Sequence, residues 1–147
     1  MQKFVFLVAA YIFMLVSGAS AEAPAKKDAN GVVNKFIFAK LSLYDMTAGG
    51  FRRAAKPDLA VASKSCDEAA AIARRFDPNP LLSAQVDLCF AMVAGYQGQK
   101  ASSCQSIQSA EKKANAAVSQ GVSDFVPAIT ARSLLGIAAD FRKAYGC

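Results

Sequence analysis

Four cysteines, Cys66, Cys89, Cys104 and Cys147, are the side chains best able to do chemistry, and their spacing decides which. No two of them form a C-x-x-C pair and the chain has no histidine, so the common zinc sites and the dithiol redox motif are missing. Without histidine the commonest general base and the usual catalytic triads go too. An even number of thiols in an exported chain predicts two disulfides.

Spacing also suggests the pairing. Cys66 stands about twelve residues before Pro78 and Cys89 about eleven after it, which makes the two level on antiparallel helices joined at the turn Asp77-Pro78-Asn79-Pro80. That hairpin is expected to be the centre of the fold. Cys104 and Cys147 fall at the same end of the last two helices, although simple counting carries Cys147 past Cys104 by roughly 12 Å, so Gly146 must let the tail fold back. The competing pair, Cys89 with Cys104, is offset by about 6 Å along the helix axes.

The carboxylates point away from catalysis. Asp67 and Glu68 are neighbours on a helix and so do not face each other, and Asp87 on the hairpin's flank is expected to pair with a base. Gly49-Gly50 lacks the Lys and Ser or Thr of a phosphate-binding loop. The expectation is a protein without enzymatic activity, metal or cofactor.

The net charge of +6 does not imply nucleic acid, because no recognition motif accompanies it. Arg74-Arg75, Lys112-Lys113 and Arg142-Lys143 are read as cations near helix ends, where the dipole favours them. Arg52, Arg53 and Lys56 next to Phe51 are read as a solvated surface, with weak contact to a membrane surface as the sharper alternative.

At the N-terminus, Lys3, the apolar run Phe4 to Val16 and Ala19-Ser20-Ala21 have the pattern of an export signal over residues 1–21, cleaved before Glu22. The run is about half the length a membrane span needs. Residues 22–29 are expected to be a flexible arm and residues 30–147 a single helical domain, located in the periplasm or secreted.

Along that domain the pattern predicts an all-α fold of about five helices, an up-and-down bundle or a short stack of antiparallel helical hairpins held by disulfides. Val33, Phe36, Ile37, Leu41 and Tyr44 recur at helical spacing to about Met46, and Gly49-Gly50 ends that helix. A second helix opens at Pro57 with Asp58 in its first turn and buries Leu59, Ala62, Cys66, Ala69, Ala73 and Phe76. Asn79 caps the third, Pro80 opens it, and its wide apolar face marks it as central, weakening at Gly95 and Gly98. The fourth runs through Cys104, Ile107, Ala110, Ala114 and Val118. Ser123 is expected to cap the fifth, with Pro127 in its first turn and Val126, Thr130, Ser133, Leu134, Ile137, Phe141 and Ala144 inward.

Ser65-Cys66 with Arg74-Arg75 recurs about thirty-eight residues on as Ser103-Cys104 with Lys112-Lys113, a period found in repeated helical hairpins. Glu68-Ala69-Ala70, Ala73 and Asp77-Pro78-Asn79 resemble the end of a tetratricopeptide repeat, but the aromatic and glycine positions expected in the next helix do not line up. The first helix is apolar on more than one side, which predicts a partner site at Phe38, Leu43, Met46 and Phe51, rimmed by Arg52 and Arg53. The function expected is therefore a binding or interaction module that meets an envelope or extracellular protein. The alternative is a carrier that holds a small apolar or anionic ligand between helices.

Overall fold

The structure, a computed structural model, describes residues 26–76, 79–122 and 129–147. In chain order these form α1 (Lys26–Leu43), β1 (Tyr44–Thr47), β2 (Gly50–Arg53), α2 (Leu59–Arg74), α3 (Pro80–Tyr96), α4 (Lys100–Ser119) and α5 (Ala131–Tyr145). The protein is an all-α, disulfide-stabilised bundle that carries a small β-hairpin. The turn residues Asp77 and Pro78, and Ser123, Val126 and Pro127, lie outside the described residues, as do the signal-like residues 1–21.

α3 is the hub. The Asn79 side chain accepts the Leu82 N–H at 3.1 Å and Pro80 sits at the first position, so the expected start is the observed one. Leu81, Leu82, Leu88, Cys89 and Met92 are all fully buried, and the helix packs against α1, α2, α4 and α5. A helix apolar on nearly every side needs neighbours on nearly every side. On α2, Ala62, Cys66 and Ala69 are buried as expected, with Leu59, Ala73 and Phe76 packed at the edge of the core. Its start is shifted, however. Asp58 is the cap rather than a first-turn residue, accepting the Val61 N–H at 2.9 Å, and this leaves Pro57 outside the helix.

α1 departs further from expectation. It begins at Lys26, inside the expected arm, because Ala29 is already buried and starts a core stripe that continues through Val32, Phe36, Ala39 and Leu43. Ile37 and Leu41, which recur at helical spacing with the buried Phe36, lie on the outer face. The helix stops at Leu43 instead of Met46, where downstream backbone takes its free carbonyls: Ala54 N–H donates to Leu43 and Asp58 N–H to Ser42, each at 2.9 Å. Tyr44–Thr47 then pairs antiparallel with Gly50–Arg53. Four residues per strand are too few to register as a strand pattern.

Both expected disulfides are present, Cys66 with Cys89 and Cys104 with Cys147. The overshoot counted for the second disappears because α5 starts at Ala131, capped by Thr130, and not at Ser123. Cys104 lies about fifteen residues before the end of α4 and Cys147 about sixteen after the start of α5, so the two are level. Ala144, expected inward, is exposed, and Tyr145 packs against the core next to it. On α4, Ile107, Ala110 and Ala114 are buried, whereas Ala117 takes the place expected for Val118, which is exposed. Ser103, read as part of a polar start, is buried and donates to the Ala91 carbonyl at 2.8 Å. No helix among the described residues is long and apolar enough to cross a membrane.

Candidate functional site

Six large apolar side chains are exposed among the described residues, and five of them lie on α1 and the hairpin: Ile37, Phe38, Leu41, Met46 and Phe51. Phe38 is 56% and Met46 72% accessible. Their placement follows from geometry. At about 100° per residue, Ile37, Leu41 and Phe38 stand roughly 60°, 100° and 160° round α1 from Lys40, on the side away from the Ala29–Leu43 stripe. Lys40 continues the line, because its ammonium sits 3.7 Å from the centre of the Phe51 ring. Phe51 in turn is the cross-strand partner of Met46, so both project from one face of the hairpin. Burial among these groups holds the Lys40 ammonium below the usual lysine range, with Asp140 opposing the effect.

Leu43 is the exception among the apolar residues predicted for this surface. It is fully buried, because it closes the core stripe of α1 in the helix's last turn. The predicted basic rim also divides. Side chains alternate along a strand, so Arg52 and Arg53 leave β2 on opposite faces. The Arg53 guanidinium lies over the Tyr96 ring, 4.1 Å from its centre, and donates to the Tyr96 carbonyl. Its work is at the base of the hairpin, and Lys40 is the cation that borders Phe51.

Sequence reasoning missed what Arg53 meets there. Tyr44 opens β1, Tyr96 ends α3 and Tyr145 ends α5, and these three ends converge. The Tyr44 and Tyr96 rings meet edge to face at 5.4 Å, and the Tyr44 and Tyr145 hydroxyls share a hydrogen bond of 2.9 Å. Burial first, and then this bond to Tyr44, push the Tyr145 phenol far above its ordinary range, so it stays protonated. Gly95 makes the convergence possible. A Cβ there would come within 2.6 Å of the Tyr145 ring. This glycine lies inside α3, where the sequence suggested only a weakened end, and Gly98 at φ +75° turns the chain towards α4. A glycine inside a helical run close to a Tyr was the available signal for a tight approach.

The charged residues considered for chemistry are mostly paired. Asp87 accepts from Lys113 Nζ at 2.6 Å and from Ser109 Oγ at 2.7 Å, in line with the expected pairing to a base. Lys112 and Lys113 are mid-helix, however, since α4 runs on to Ser119. Glu68 pairs with Lys35 of α1, which holds its carboxyl below the usual range, and Asp67 is exposed. Arg142 grips Glu111 through two bonds of 2.7 Å. No three Asp, Glu or Cys residues among those described are grouped to hold a metal ion. No family model, curated protein or solved structure matches the chain, so its residues must carry the functional reading.

Proposed function

We propose that this chain is an exported binding module without enzymatic activity, which meets a protein partner in the periplasm or outside the cell. The observation that carries this reading is the gathering of Ile37, Phe38, Leu41, Met46 and Phe51 on α1 and the hairpin while the rest of the described surface exposes only Val118 among large apolar side chains. Scattered apolar residues need no explanation, but a gathered set beside a cation is the usual make-up of an interaction surface. Lys40 would border a partner rather than anchor it. Two disulfides with no free cysteine among the described residues fit an oxidising compartment, which supports the export reading.

Site-specific photocrosslinking in the native host tests it. A photoreactive residue at Phe38 or Met46 should give a discrete protein adduct, and one at Gln108 on the exposed side of α4 should not. The adduct should disappear when Ile37 and Leu41 are both changed to Ser. Equal labelling from position 108, or no adduct from 38 and 46, refutes the reading.

A further inference from the structure

The converging ends of α3, α5 and the hairpin enclose a cleft of about 610 Å³, distinct from the apolar strip, which runs towards the hairpin's tip. Its volume is within the range of about 300–1,000 Å³ typical of small-molecule sites. Its lining includes three tyrosines, Tyr44, Tyr96 and Tyr145, and two cations, Arg53 and Lys100. No carboxylate among the described residues lines it. Neither Arg53 nor Lys100 has an acidic partner among the described residues. Two unneutralised cations sharing one cleft repel each other and together raise the local concentration of anions.

The local sequence of α4 adds to the imbalance. Lys100 occupies the first helical position, where a cation opposes the dipole, and Gln99 before it makes no capping hydrogen bond. Tyr145 contributes no compensating negative charge, because burial keeps its phenol protonated. What the three tyrosines do supply is flat apolar wall with hydroxyl edges.

We propose that this cleft binds a small organic acid, its anionic head between Arg53 and Lys100 and its apolar body against Tyr44, Tyr96 and Tyr145. The cations fix the head by charge-assisted hydrogen bonds, and the rings select against a bare inorganic anion.

The chain has no tryptophan and three of its four tyrosines line the cleft, so tyrosine emission reports on it directly. The full chain with both disulfides intact is titrated with cyclohexanecarboxylate, which does not absorb in the tyrosine band. Its neutral amide and inorganic phosphate are run in parallel. The acid should give a saturable change in emission, with the amide and phosphate each about tenfold weaker or worse. Lys100→Ser should weaken the acid about tenfold without lowering the melting temperature, because it removes a cation from the wrong end of a helix. Lys112→Ser, an exposed charge-matched change elsewhere on α4, should leave binding unaltered. Amide binding as strong as acid, phosphate as strong as acid, full affinity in Lys100→Ser, or no saturable response up to about 10 mM, a limit at which affinity is negligible, would each overturn the assignment.

Discussion

The two disulfides have the same Cα separation, 5.6 Å, and opposite surroundings. Cys66 and Cys89 are fully buried where α2 meets α3, within the same apolar core as Ala62, Ala69 and Leu88. Cys147 is exposed and Cys104 only partly buried, and their bond ties the last residue of the chain to the first turns of α4. Around the first bridge, packing already fixes the geometry. Around the second the cysteines themselves are more exposed, and the bond fastens Cys147, just beyond α5, to α4. Gly146 turns at φ +72° and the Cys147 N–H donates back to the Arg142 carbonyl at 2.9 Å, bringing Tyr145 and Lys100 to opposite sides of the cleft. One bridge reinforces a core, and the other shapes a surface.

Removing each bridge should separate these roles. Chain entropy alone ranks the longer loop higher, about 4 kcal/mol for Cys104–Cys147 against about 3 for Cys66–Cys89. The surroundings reverse that order. Cys66→Ala/Cys89→Ala loses the cross-link and also buried sulfur contacts, so it should cost about 4 kcal/mol or more. In Cys104→Ala/Cys147→Ala the freed tail frays in the native state, regaining entropy there, which should reduce the cost to about 2 kcal/mol. Denaturant melts under non-reducing conditions decide between the two orders. A larger loss from the terminal pair would mean that the chain end is as firmly packed as the core.

The same contrast explains what could be read in the sequence. The α2–α3 pair was legible because each signal there is local and redundant: the Asn79 cap, Pro80 behind it, small residues facing inward on α2, and two cysteines equidistant from one turn. The Cys104–Cys147 pair was readable even though the start of α5 was misplaced by several residues, since pairing needs only the right end of each helix. The outer face of α1 was foreseen as apolar and Leu43 was misassigned to it for one reason. With apolar residues nearly all round, a helix does not reveal which side a neighbour will cover. The cleft could not be read at all, because Tyr44, Tyr96 and Tyr145 are distant in sequence and meet only through the packing of three separate ends.

Two further changes probe how much of the chain-end geometry belongs to the disulfide and how much to packing. Gly95→Ala places a methyl group 2.6 Å from the Tyr145 ring. Overpacking of about 1–3 kcal/mol then opposes a helix-propensity gain of about 1 kcal/mol, so a net loss of about 1 kcal/mol is expected, accompanied by altered tyrosine emission. Acid should act on the other anchor of α5, Glu111 with Arg142. The arginine's two hydrogen bonds hold the Glu111 carboxyl below its ordinary value. Its contribution is therefore present above the unfolded-state value, about 4.3, and is lost as the pH falls through the lowered native one. Melting temperatures measured from pH 6 down to pH 3 should fall less steeply in Glu111→Gln than in the parent. The difference should widen when the Cys104–Cys147 bond is absent, since the ion pair then holds α5 without its covalent partner.

The smallest effects lie on β2, where neighbouring arginines face opposite ways. Arg53 stacks on Tyr96 and donates to its carbonyl, joining the hairpin to the end of α3. Arg53→Ser should therefore cost about 0.5–1 kcal/mol, the usual worth of an exposed cation–π contact, and loosen one wall of the cleft. Arg52 and Lys56 are exposed and have no acidic partner among the described residues. Serine at either should change stability by less than about 0.5 kcal/mol. Serine at all three positions should thus melt close to Arg53→Ser alone, because the effects add where side chains share no partner. Binding to anionic vesicles distinguishes packing from surface charge. If these cations chiefly keep the protein soluble, neither the parent nor the triple variant binds. Salt-sensitive binding by the parent that the triple variant loses would instead make this hairpin a membrane-facing element, with Phe51 as its inserting group.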